Sequence, residues 1–178
     1  MLEVARELVG WTLCVDGVGG VIVETEAYAP EDPASHAYGG MRRRNATMFS
    51  PAGRLYVYRS YGIHWCANAV CAPEGVGAAV LLRALEPTAG LDAMRERRGV
   101  NDARLLASGP GRLTQALAIT SEHDGLDLSQ PPFELEPPVA RKAEVVASPR
   151  VGISRATDNP WRYTLAGSTF VSRPPPRA

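Results

Sequence analysis

The sequence predicts a mixed α+β fold in a single domain, and two observations carry that prediction. Apolar runs rich in β-branched residues, bounded by glycine or proline, recur along most of the chain, while the stretches that read as helix cluster in its middle. A length of 178 residues suits one domain that buries its own core without disulfide or metal staples.

Taken in order, Leu2 to Val9 reads as a short helix ended by Gly10. WTLCV, DGVGG and VIVETEAY read as a hairpin whose glycines supply the turn. Ala29 to Asn45 is a long loop containing Pro30, Pro33, Gly39 and Gly40 and ending in RRRN. RLYVYRSYG and HWCANAVCA are strands around a bend at Gly62, and PEGVG turns the chain into the strand AAVLLRALEP. Thr88 is placed to cap a helix through Arg98, stopped by Gly99, and a second helical stretch covers about Asn101 to Ala107. SGPGR reads as a turn before the apolar helix LTQALAI. PPFELEPP, VVASPRVGI and WRYTLAGSTFVS supply strands and turns. The domain is assigned to 1–173, which leaves 174–178 as a disordered tail.

Composition narrows the function. No apolar run approaches the roughly 18 residues of a membrane span. Met1 leads into LEVARELVG, which is not a secretory signal, and Cys14, Cys66 and Cys71 are an odd set that reads as reduced thiols in the cytoplasm. The net charge of zero hides an asymmetry: Met41 to Arg112 holds eleven arginines against five acids, whereas Ser121 to Glu144 holds six acids against two bases. A basic face suits an anionic partner. Of nineteen basic residues only Lys142 is a lysine. Genome bias explains an arginine-rich chain as well as function does, but either way Schiff-base chemistry has almost no candidate.

The stretch VIVETEAYAPEDPASH enters as a buried strand and then carries Glu24, Glu26 and Tyr28 at spacing two, on one strand face. The plain reading is an edge strand with a wet polar face. The sharper one places a carboxylate of raised pKa at a pocket mouth, suited to a general base, with His36 at the end of the loop. In RLYVYRSY, Tyr56 and Tyr58 share a face, while Tyr61 falls in a turn between Ser60 and Gly62 where core packing explains it poorly. An exposed aromatic among Arg42, Arg43, Arg44, Arg54 and Arg59 suits stacking on nucleic-acid bases. His64, Cys66 and Cys71 make a weak zinc set, with mismatched strand parity and no fourth ligand. SGPGR lacks the spacing and lysine of a P-loop, yet its amides and Arg112 suit one backbone phosphate.

In combination these pieces resemble a known family. ETEAY, His36 ten residues after Glu26, LYVYRSYG with Asn68 seven residues after Tyr61, LLRALEP and SGPGRLTQAL are similar in order and spacing to the alkyladenine (3-methyladenine) DNA glycosylases, the vertebrate alkyladenine glycosylases among them. The likeness covers nearly the whole chain. It implies a curved, open, barrel-like antiparallel sheet flanked by helices, and a monomer that flips damaged purines out of double-stranded DNA without metal or cofactor. It implies Glu26 as the base that activates water, Arg83 with backbone near Val151 holding that water, and Tyr28, His36 and Tyr58 as pocket walls. Tyr61 is then the wedge filling the vacated stack, Asn68 crowds the exocyclic amine of guanine, Arg44 and Arg112 meet the DNA backbone, and Glu24 is structural. Against vertebrate members the MRRR loop is about one residue shorter and the wedge is flanked by Ser60 and Ile63, which leaves the damage spectrum open. Two other classes stay in view: a carbohydrate hydrolase using Glu24 and Glu26, roughly 6.6 Å apart on a strand, and a non-catalytic nucleic-acid-binding module.

Overall fold

The computed structural model describes residues 1–138 and 144–174. Lys142 and the expected tail from 175 onward lie outside them. Helix α1 (Leu2–Glu7) precedes the hairpin of β1 (Thr12–Val15) and β2 (Val18–Tyr28). After the long loop and a 3-10 segment (Arg43–Phe49) come β3 (Leu55–Ser60), β4 (His64–Val70) and β5 (Ala79–Ala89). Helices α2 (Leu91–Arg98), α3 (Ala103–Leu106) and α4 (Pro110–Ala116) follow, then β6 (Phe133–Glu136), β7 (Val145–Ser148) and β8 (Arg162–Leu165). Among the described residues, no helix is long and apolar enough to cross a membrane.

All pairings between these strands are antiparallel, and the sheet curls into an open half-barrel in the order β3-β4-β5-β2-β1-β6. Strand β2 is its hub. One edge of β2 pairs with β5 along most of its length; the other pairs first with β1 and then, over Glu24–Glu26, with β8, which in turn carries β7. Both edges are taken and Ile22 through Ala27 are fully buried, so the wet edge strand is excluded. The register shift between Ile22 and Glu24 breaks the simple alternation of the strand here. Ile22 joins the main core with Leu82 and Leu85, Thr25 donates to the Ala5 carbonyl of α1 at 2.6 Å, and Glu24 and Glu26 turn the other way.

Several boundaries differ from those read in the sequence. Thr88 caps nothing: the Gly19–Ala89 and Gly20–Pro87 pairings keep β5 extended to Ala89, and Gly90, with φ of 65°, starts α2 instead. Pro110 is the first residue of α4, a position that needs no amide donor, so SGPGR opens the helix rather than preceding it. The helix expected over about 101–107 shortens to α3, capped by the Asp102 side chain on the Arg104 amide at 2.9 Å.

The hairpin glycines also divide their labour. Gly17 makes the turn with φ of 73°, but Gly19 and Gly20 lie within β2, and a Cβ on Gly20 would stand 2.0 Å from the Glu86 carbonyl oxygen. Gly20→Ala should therefore force β2 from β5 and destabilise the fold by about 1–3 kcal/mol or more. Urea unfolding of the two proteins measures the difference; equal midpoints would mean that the strands part without cost.

Candidate active site

Against the sheet lies a cleft of about 900 Å³, bounded by Tyr28, His36, Tyr56, Tyr58, Asn68 and Arg83 among others. The site is built from its floor. Arg83 sits where the β2–β5 register slips on either side of Glu24, so it has no Cα partner on β2. Such irregularities re-aim side chains. Its guanidinium bridges both carboxylates, with Nε donating to Glu24 Oε1 and Nη1 to Glu26 Oε2, each at 3.2 Å.

The two glutamates then differ in what else they accept. Glu24 also takes Arg162 Nε at 2.7 Å, the Ser172 hydroxyl at 2.8 Å and the Ser172 amide. Both of its oxygens are held, and like Glu26 it does not figure among the described residues that bound the cleft. Glu26 accepts the Tyr28 hydroxyl on Oε2 at 2.9 Å and the Val151 amide on Oε1 at 2.7 Å. Its Oε1 keeps a free acceptor site. Glu26 is itself fully buried, just beneath the surface formed by Tyr28, Arg83 and Val151.

Burial raises the Glu26 pKa, against the opposing pull of Arg83, the Val151 amide and Tyr28, with Glu24 adding a little in the same direction as burial. The Tyr28 phenol is pushed up as well, by burial and then by Glu26, so it remains a donor. Burial moves Tyr56 up to about 12. Packing of protein around His36, and then Arg44, lowers the imidazole pKa and keeps the ring neutral at pH 7.

Aromatic rings form the walls. His36 meets Tyr58 edge-on at 4.4 Å, Tyr58 stacks on Tyr56 at 5.5 Å, and His36 Nδ1 lies 3.0 Å from the Tyr56 hydroxyl. Asn45 fixes the loop that delivers His36: its side-chain amide donates to the His36 and Gly40 carbonyls, and its oxygen accepts the Arg42 amide. Asn68, buried on β4, donates to the Tyr56 carbonyl at 3.1 Å. Arg44, Arg59 and Arg173 stand at the rim, and no acid figures among the described residues lining the cleft. Tyr61 is 88% exposed at the tip of the β3–β4 hairpin, where it and Gly62 both have positive φ. A tyrosine held in that strained conformation with its ring in water has no packing reason to be there.

A model of the family described as methylpurine-DNA glycosylase matches residues 1–169. A protein of Nitrosospira multiformis with the provisional name 3-methyladenine DNA glycosylase is 60% identical over 97% of this chain and 89% of its own length. Proteins of the same provisional name from Rhodopseudomonas palustris (strain HaA2) and Agrobacterium fabrum are each 59% identical over 97% of this chain, covering 85% and 87% of themselves. The chain belongs to the methylpurine-DNA glycosylase family.

It is thus a DNA-repair glycosylase, a hydrolase of N-glycosidic bonds. The structure places Tyr28, His36, Tyr58, Asn68, Arg83 and Arg44 along one cleft, with Glu26 under its floor and Tyr61 at its lip. Arg112 is not brought there. Its Nη1 turns back to the Ser108 hydroxyl at 3.0 Å, while Gly109 and Pro110 reach the cleft wall. Tyr56 was legible as the strand-face neighbour of Tyr58 but carries more than packing, because it holds the His36 ring. Ser172 and Arg162 had no sequence signal: each finds Glu24 more than a hundred residues away.

The raised pKa of Glu26 has a consequence for stability. A carboxyl group whose folded pKa exceeds its unfolded value near 4.5 contributes stability that is full below 4.5 and is lost as pH rises through the folded value. Glu26→Gln never ionises, so its melting temperature relative to wild type should improve between pH 4 and pH 7. Calorimetry across that range checks it; a variant-minus-wild-type difference that stays constant or falls toward pH 7 would mean that Arg83 outweighs burial.

Proposed function

We propose that this enzyme excises alkylated and deaminated purines (3-methyladenine, 7-methylguanine, hypoxanthine and ethenoadenine) from double-stranded DNA, on the plan of the vertebrate alkyladenine glycosylases. The observation that carries the reading is a buried carboxylate with one free acceptor site, beneath an aromatic cleft whose rim is cationic. A purine inside the stack cannot present C1′ to a nucleophile, so the nucleotide is extruded, at a cost of a few kcal/mol that is least for damaged pairs. Tyr28, His36 and Tyr58 hold the flipped base, and Asn68 crowds the exocyclic amine of guanine. Glu26 Oε1 takes a proton from water held by Arg83 and backbone near Val151. The hydroxyl attacks C1′ as the glycosidic bond breaks, and the same carboxylate stabilises the oxocarbenium-like centre. Purines methylated at N3 or N7 leave readily because they are cationic; neutral lesions need a donor to the purine, which a backbone amide near His36 supplies. Arg44 and the Gly109–Pro110 corner meet the phosphates. The enzyme acts as a monomer in the bacterial cytoplasm and leaves an intact abasic site.

Incubation with methylated duplex DNA should release 3-methyladenine and 7-methylguanine as free bases. Glu26→Gln should still bind lesion DNA yet lose about 10²- to 10⁴-fold in single-turnover rate. Retention of more than about a tenth of the wild-type rate would remove Glu26 from the role of base.

Tyr61 separates wedge from pocket. A ring inserted in the vacated stack is worth about 1–3 kcal/mol, so Tyr61→Ala should lower the flipping equilibrium by about 5- to 150-fold. Single-stranded DNA has no stack to hold open, and there the loss should be small. Excision rates for hypoxanthine on the two substrates decide the matter; an equal loss on both would place Tyr61 in the pocket.

A further inference from the structure

We propose that Arg150, paired with Asp32, is a positioning residue for the hydrolysis, clamping the loop that aims the Val151 amide at Glu26. The inference rests on the reading of Glu26 as the base. Arg150 and Asp32 form a fully buried ion pair, with Nη1 on Oδ2 and Nη2 on Oδ1, the latter at 3.1 Å. Arg150 Nη1 also donates to the Ala27 carbonyl at 2.9 Å, and the Ala27 amide donates to the Trp161 carbonyl at 2.9 Å. The guanidinium lies 4.7 Å from the centre of the Tyr28 ring and 5.1 Å from that of Trp161. One side chain therefore gathers the end of β2, the loop leading to His36 and the segment before β8, and the next residue in the chain carries the amide on Glu26.

Arg150 has no place on the cleft wall among the described residues, and it touches neither Glu26 nor the space for a base. Its influence passes through two neighbours. Through the peptide of Val151 it fixes the donor on Oε1, the oxygen left with a free acceptor site. Through Tyr28 it backs the ring whose hydroxyl holds Oε2. Stability alone explains the pair poorly. Burying two charges is costly, and Arg150 Nε is buried with no hydrogen-bond partner among the described residues. Lysine would keep the charge but lose the planar fork that reaches Asp32 and Ala27 together while lying against two rings.

The test uses the full chain with Arg150→Met and Arg150→Lys. Misplacing a reacting group by about 1 Å costs up to 10²-fold. Both variants should release 3-methyladenine from methylated duplex at about a tenth to a hundredth of the wild-type single-turnover rate. Binding to a duplex carrying a tetrahydrofuran abasic analogue should stay within about threefold of wild type, because the groups facing DNA are untouched. The acid limb of the pH–rate profile should move upward, since Glu26 loses the amide that favours its charged form. Arg83, Glu24, Tyr58 and Cys66, which also face Glu26, have no contact with Arg150, while Tyr28 loses the guanidinium behind its ring, which acts on Glu26 in the same direction. Should Arg150→Met fail to fold, Arg150→Lys keeps the charge opposite Asp32 and decides alone. A wild-type rate, or an unmoved acid limb with equal losses in rate and abasic-duplex binding, would overturn the proposal. Failure of the wild type itself to release any base would instead sink the reading of function.

Discussion

Two carboxylates and two guanidiniums share the dry centre of the sheet, and the architecture follows from keeping them together. An ionised carboxylate alone in that position would cost several kcal/mol. Glu24 and Glu26 are tolerable on β2 because β5 delivers Arg83 between them and β8 delivers Arg162 to Glu24. Both strands must pair with β2 for those cations to arrive, and neither Arg83 nor Arg162 would be satisfied without the carboxylates. Ser172 closes the array over Glu24. The curl of the sheet, the three-way pairing of β2 and the path of the chain after β8 are thus parts of one electrostatic arrangement.

Within it, two glutamates separated by one residue have opposite fates. Glu24 takes two guanidiniums, a hydroxyl and an amide, all but the amide on Oε1. Glu26 takes three donors, only one of them on Oε1. Chemical identity does not separate these residues; the donors around them do. Glu26, held on three sides beneath Tyr28 and Arg83, is oriented toward the cleft, whereas Glu24 is tied to Arg162 and Ser172.

What was legible in the sequence was local. The strand runs, the shared face of Glu24, Glu26 and Tyr28, and the oddity of Tyr61 in a turn all follow from spacing and residue type, and the resemblance added roles to the same positions. What was not legible was long-range. Asp32 and Arg150 are 118 residues apart, and nothing in PEDPASH or SPRVG announces that they meet. The helix boundaries failed for a related reason. Thr88 has the side chain of a cap, but the ladder to Gly19 and Gly20 keeps it extended, so tertiary pairing overrode local preference. Arg112 was read from its place beside a glycine corner; its Nη1 donates to the Ser108 hydroxyl just before the helix, and the residue is exposed.

The placement of charge also limits how the cleft discriminates among bases. Its floor carboxylates are matched by guanidiniums and its rim carries Arg44, Arg59 and Arg173, so no bare negative charge awaits a cationic purine. Attraction to such a base must come from aromatic faces, worth about 2 kcal/mol or more when desolvated. Even there the supply is restricted: His36 is neutral, and Tyr28 already has the Arg150 guanidinium against its ring. The walls therefore reward a flat ring more than a charged one. In the proposed reaction this leaves discrimination to the steps on either side of binding. Weakened pairs flip more easily, and cationic bases leave more easily, so a pocket that is nearly indifferent to charge remains compatible with both charged and neutral lesions.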